Sequence, residues 1–93
     1  MIHTIKKIAV VGSGTMGQGL TQVCAAAGYE VLLYDIEATL VKNAISGLRK
    51  TFETLVQKDR IAQQDAIAAI NRITSVSDFR QLQVDLVIEA VIE

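Results

Sequence analysis

The feature that most constrains this sequence is a junction near its start. The apolar run Ile8-Ala9-Val10-Val11 passes directly into Gly12-Ser13-Gly14-Thr15-Met16-Gly17. Four apolar residues with no polar alternation suit a strand covered on both faces, as in a parallel sheet. After the glycines the period changes. Met16, Leu20, Val23, Cys24 and Ala27 recur at helical spacing, which predicts a helix over about 15–27 with these residues as its buried stripe. Gly28 stands where such a helix stops, because glycine enters the left-handed region without a Cβ penalty. A strand that turns through glycines straight into a helix leaves few folds open.

The rest of the chain continues the alternation. A second apolar strand is expected at Glu30–Tyr34, ending on Asp35. A long amphipathic helix follows at about 37–58, with Leu40, Val41, Ala44, Ile45, Leu48, Phe52, Leu55 and Val56 on its buried face. A shorter helix at about 63–72 carries Ala66, Ile67 and Ile70. A weak strand at Ile73–Val76 and a strong one at Val84–Ala90 complete the pattern. Strands alternating with helices imply an α/β fold: a Rossmann-type, doubly wound parallel sheet with right-handed crossovers and a helical insertion before the third strand. A complete fold of this type has two halves and six strands. The expectation is therefore one partial domain over residues 1–93, the N-terminal part of a longer protein. No repeat, low-complexity tract or linker interrupts it, and the 93 residues contain no proline.

Composition excludes several function classes. A formal net charge of −1 gives no field to draw in nucleic acid or an anionic membrane. No run of about eighteen apolar residues could span a bilayer. The first twelve residues do not read as a signal peptide, since Lys6 and Lys7 precede a short apolar run that leads into glycines. Cys24 is the one cysteine, so no intrachain disulfide can form, and a cytoplasmic location is expected. There is no Cys/His cluster of metal-ligand spacing. Cys24 falls on the helix's apolar stripe and reads as core. His3, the one histidine, precedes the first strand and reads as a surface residue.

Residues 12–17 match G-x-G-x-x-G, a pattern that means little without its context. Here an apolar strand precedes it, a helix follows, and an acid ends the next strand. Gly12 permits the tight turn, Gly14 lets the backbone approach a pyrophosphate, and Gly17 lets the helix pack closely on the sheet. The free N–H groups at the helix start, around Ser13, Thr15 and Met16, would face the phosphates. Asp35 lies eighteen residues after Gly17, near the usual spacing of about twenty. Its carboxylate can accept from ribose hydroxyls and would repel a 2′-phosphate, so NAD is expected over NADP. The alternative is that the glycines only make a turn and Asp35 only caps the next helix.

With these residues read, the chain resembles the NAD-binding domain of the 3-hydroxyacyl-CoA dehydrogenases. Three stretches carry the likeness: Ile8 to Gly19, Gly28 to Asp35, and Asp85-Leu86-Val87-Ile88-Glu89-Ala90-Val91-Ile92-Glu93. The resemblance implies that Ala90 lies beside the nicotinamide-side ribose and that Glu93 is a further cofactor contact. It implies hydride transfer between an acyl-CoA and nicotinamide, with the catalytic histidine, its glutamate partner and a helical dimerisation domain beyond Glu93. The intact protein would then be a homodimer. The family also holds CoA with a serine and, two turns on, a lysine of the helix after the second strand. Aligning on Leu48-Arg49-Lys50 puts Gly47 and Thr54 at those places, so neither residue type is kept. Ser46, Lys50 and Lys58 are the substitutes at hand. Five of the nine basic residues (Lys42, Arg49, Lys50, Lys58 and Arg60) fall on this segment, as a patch for an anionic CoA or as a solvated face. The competing reading of the whole chain is a stand-alone NAD or adenine-nucleotide module without catalysis. A third is FAD on the same fingerprint.

Overall fold

The computed structural model describes residues 4–78, 80 and 83–90. In chain order the elements are β1 (Lys7–Val11), α1 (Thr15–Ala26), β2 (Glu30–Tyr34), α2 (Ala38–Gln57), α3 (Gln63–Asn71), β3 (Ile73–Val76) and β4 (Leu86–Glu89). The four strands are parallel, in the order β3-β2-β1-β4. Ile8 pairs with Val31 on one side and Leu86 on the other, and Val10 lies between Leu33 and Ile88. The chain therefore lays down β1, β2 and β3 in one direction, then crosses to the far side of β1. Where strand order reverses in this way, the carboxyl ends of the strands bound a crevice. The expected α/β architecture and each expected element are present.

The core is built on one face of the sheet. Ile8, Val10, Val31 and Leu33 pack against Val41, Ala44, Leu48 and Phe52 of α2, Ala25 of α1, and Ala66 and Ala69 of α3. Right-handed crossovers put consecutive helices on the same side of a parallel sheet, which is why all three share this core. Leu32 and Tyr34, of alternate parity, turn to the opposite face and are only half-buried, whereas Ala9 on that face is fully buried.

The expected stripe of α1 needs correction. Its buried residues are Gly17, Thr21 and Ala25, whereas Met16 is 55% exposed and Val23 66%. Leu20 and Cys24 flank the core half-buried, and Ala27 is exposed. The cause is distance. A helix pressed closely on a strand selects small side chains on the contacting face, so hydrophobicity alone points to the wrong side. Burial pushes the Cys24 thiol above its ordinary pKa, as expected of a core thiol. On α2, Leu40, expected on the buried face, is exposed, as is Ile67 on α3.

Helices α1 and α2 end in the same motif with different residues. Gly28, at φ +106°, donates to Ala25 O at 3.2 Å, and Tyr29 N–H reaches back to Cys24 O at 3.1 Å. At the end of α2, Asp59 takes the left-handed position at φ +56°. Asp59 N–H donates to Val56 O at 3.0 Å and Arg60 N–H to Leu55 O at 2.8 Å. Both are Schellman caps, and the second holds a residue with a Cβ where glycine fits best. Arg72, after α3, donates from Nη1 to Ala25 O at 2.8 Å, tying the third helix to the end of the first. β4 begins later than the expected Val84, because a side chain holds its start. Asp85 Oδ2 accepts from Lys6 N–H at 2.9 Å and Lys7 N–H at 3.0 Å, ahead of the strand ladder.

Candidate functional site

At the carboxyl ends of β1, β2 and β4 a cleft of about 460 Å³ opens, lined by Val11, Gly12, Ser13, Gly14, Tyr34, Asp35, Ile36, Leu40 and Ala90. The glycine loop forms its floor. Gly12 has φ +108°, a conformation that side chains resist, and its N–H donates to Tyr34 O at 2.8 Å. Gly17 is fixed by packing: a Cβ there would run into the Gly12 carbonyl oxygen and sit 2.8 Å from the Gly12 carbonyl carbon. Gly14 differs from both. Its backbone is extended at φ −72°, and a Cβ would meet nothing within 4 Å. The fold gives two of the three glycines an internal reason, and the third lacks one.

Helix α1 starts at this open position. Its ladder begins with Gln18 N–H donating to Gly14 O at 2.9 Å, so the earlier N–H groups of the first turn have no intrahelical acceptor. No side chain caps this end, and its first turn carries no acid. Thr15 and Met16 are exposed there. An uncapped helix start carries the positive end of the helix dipole. Gln18 adds support that the sequence did not suggest, its Nε2 donating to Ser13 O at 3.1 Å across the loop.

Asp35 faces the loop from the end of β2. Its Oδ2 accepts from Ser13 N–H at 2.9 Å and Ser13 Oγ at 2.8 Å, and its Oδ1 accepts from Glu37 N–H at 3.1 Å. Partial burial alone would raise its pKa. The donors from Ser13, Glu37 and Ile36 outweigh it and hold the carboxyl below the usual carboxylate range. Asp35 thus holds the turn at Glu37, from which α2 starts without a side-chain cap, and presents its carboxylate to the cleft. Ala90 closes the β4 side, 3% exposed, with its N–H donating to Val11 O at 2.7 Å. Ile36, which the sequence did not single out, and Leu40, expected on the buried face of α2, form an apolar lip beside Asp35. Glu93 and His3 lie outside the described residues.

Ser46 and Lys50 do not join this cleft. Ser46 lines a separate groove between α2 and β3, with Lys42, Ile45, Arg49, Ile73, Thr74 and Ser75. Lys50 is exposed and lines neither the groove nor the cleft.

Comparison with known proteins agrees with this geometry. Residues 7–93 match the family described as 3-hydroxyacyl-CoA dehydrogenase, NAD binding domain. A 3-hydroxyadipyl-CoA dehydrogenase of Escherichia coli is 37% identical over the whole chain, which covers 20% of that protein. A 3-hydroxybutyryl-CoA dehydrogenase of Bradyrhizobium diazoefficiens is 33% identical, again over the whole chain and 32% of the relative. The crystal structure of (S)-3-hydroxybutyryl-CoA dehydrogenase from Ralstonia eutropha superposes with a TM-score of 0.91 at 32% identity, over 97% of this chain and 32% of the other. The parallel sheet with an open, glycine-floored crevice at its switch point defines a dinucleotide-binding domain. The chain belongs to the NAD-binding domain family of the 3-hydroxyacyl-CoA dehydrogenases. It spans a fifth to a third of the length of these three relatives. No helix among the described residues is long and apolar enough to cross a membrane.

Proposed function

We propose that this domain is the cofactor half of an NAD-dependent 3-hydroxyacyl-CoA dehydrogenase. The observation that carries the siting of NAD is Gly14, a glycine that the fold itself does not require and that opens onto an uncapped helix start. A pyrophosphate brought against that backbone takes its hydrogen bonds from the first-turn N–H groups of α1, with Ser13, Thr15 and Met16 around it. Asp35 accepts from the adenosine ribose hydroxyls, and Ile36 and Leu40 offer the adenine an apolar surface. Ala90 borders the nicotinamide-side ribose, and Glu93 is a further contact by family likeness. Bound NAD supplies the hydride acceptor for the reaction. Among the described residues no lysine or arginine lines the cleft, so a 2′-phosphate beside Asp35 has no counter-charge from them.

The acyl-CoA substrate, the proton-transfer groups and a homodimer through a helical C-terminal domain belong to this proposal through the named relatives. The partial, N-terminal character of the domain belongs to it as well. Its support is the share of each relative that the chain covers. CoA contacts through Ser46 and Lys50 are its least supported part, because only Ser46 shares a groove with cations, Lys42 and Arg49. By itself the 93-residue chain is expected to bind NAD weakly and to turn nothing over. The intact protein purified from its source tests the activity. Acetoacetyl-CoA should drive NADH oxidation, and failure of this reaction with several acyl-CoA chain lengths would remove the dehydrogenase reading.

A further inference from the structure

The cofactor cleft contains a contact that motif matching does not supply. Ser13 occupies the variable position between the first two glycines and is only 4% exposed. Its backbone N–H and its hydroxyl both donate to the same oxygen, Asp35 Oδ2, at 2.9 and 2.8 Å. The loop carrying Ser13 is fixed in turn, by Gln18 Nε2 on the Ser13 carbonyl and by Gly12 N–H on Tyr34 O. Asp35 is therefore gripped from a segment twenty-two residues away in sequence, and not only by its own turn into α2.

The consequence follows from counting acceptor sites. A carboxylate offers about four lone-pair positions. Two on Oδ2 face Ser13, and one on Oδ1 faces Glu37 N–H. Ile36 N–H is a weaker donor at the same carboxylate, so Oδ1, whose one close donor is Glu37 N–H at 3.1 Å, is the oxygen with room for an incoming hydroxyl. The titratable neighbours along the strand end are Tyr34 and Glu37, neither of them a cation, and among the described residues no lysine or arginine lines the cleft. The negative charge on Asp35 is thus held by hydrogen-bond donors and not by an ion pair.

We propose that Ser13 is a positioning residue for cofactor specificity: its hydroxyl fixes the Asp35 carboxylate with Oδ1 toward the adenosine ribose, and so sets the preference for a free 2′-hydroxyl over a 2′-phosphate. This rests on the reading of the cleft as an NAD site. Ser13 touches Asp35 and acts through it.

Four variants of the full chain test this: Ser13→Ala, Ser13→Cys, Asp35→Asn, and Ser13→Ala combined with Asp35→Asn. Competition titrations of NAD against NADP give the first readout. Ser13→Ala should narrow the NAD preference by about tenfold, as expected when a charged acceptor loses one donor. Ser13→Cys, which fills the same space with a weak donor, should behave like the alanine variant. In the Asp35→Asn background, Ser13→Ala should change the preference no further. The second readout needs no cofactor. The Asp35 carboxyl, titrated by NMR, should move up in pKa when the hydroxyl is removed. An unchanged NAD preference in Ser13→Ala, a wild-type preference in Ser13→Cys, or an unmoved Asp35 titration overturns the proposal while leaving the NAD reading intact. If the wild-type chain binds neither dinucleotide even at millimolar concentration, the cofactor reading falls and this proposal falls with it.

Discussion

The glycine loop and the outer face of α2 both carry residues suited to an anionic ligand, and they differ in how those residues are held. At the loop, the frame answers to contacts, Gly12 to its positive φ, Gly17 to the Gly12 carbonyl and Asp35 to Ser13 and Glu37, and Gly14 alone is left open. On α2, Lys42, Arg49 and Lys50 project from an exposed helix face, and nearby Ser46 opens onto a groove shared with the edge strand β3. A site whose geometry is over-determined by the fold can be argued from its residues. A basic helix face leaves its side chains free to rotate, and long solvated cations contribute little to stability. The proposed cofactor site is therefore the loop, and CoA binding on α2 is the weaker inference.

Gly17→Val should break the first region most severely. The new side chain meets the Gly12 backbone, which cannot yield as a side-chain tip would, so a loss of about 3 kcal/mol or more is expected. Urea denaturation would show it, and an unchanged midpoint would mean that α1 does not sit as closely on β1 as described. Gly14→Val sharpens the contrast, since its Cβ enters open space. Stability should fall by no more than about 1 kcal/mol, the scale of a changed N-cap. NAD binding should weaken about a hundredfold, consistent with lost backbone approach. If binding survives Gly14→Val, the cleft is not where the pyrophosphate lies.

Two substitutions probe the regions through stability alone. Thr21 is fully buried against the sheet, and its Oγ1 has no hydrogen-bond partner among the described residues. Thr21→Val keeps the shape and removes the stranded hydroxyl, so thermal melting should show a gain of about 1 kcal/mol. A loss would mean that the hydroxyl finds a partner in solution. Asp59→Gly, at the left-handed cap of α2, should add about 0.5 kcal/mol by releasing the Cβ from its strained conformation. No gain would mean that the Asp59 side chain itself stabilises the turn.

What could be read from the sequence was what local sterics dictate. Gly12, Gly17 and Asp35 are constrained by a turn, a close approach and a strand end, each marked by the residues immediately around it. The face of α1 was misread because hydrophobic periodicity weighs Val23 above Thr21, whereas close contact with β1 weighs size. The α2 cap escaped notice because Asp59 stands where glycine is the usual signal. Gln18, Ile36 and Leu40 gain their place in or beside the cleft only when β1, β2 and α2 come together. The start of β4 depends on Asp85 reaching Lys6 and Lys7, seventy-nine and seventy-eight positions earlier, which no local pattern can show. Likewise Ser46 and Lys50, close in sequence, separate once β3 is placed beside α2.

The most direct test of the central claim is a titration of the uniformly labelled chain with NAD, followed through its backbone amide resonances. The account predicts progressive shifts at Ser13, Gly14, Thr15, Met16 and Gly17, with smaller ones at Asp35, Ile36 and Ala90, while the outer face of α2 stays unmoved. Shifts confined to α2 and α3, or none at any NAD concentration, would contradict it.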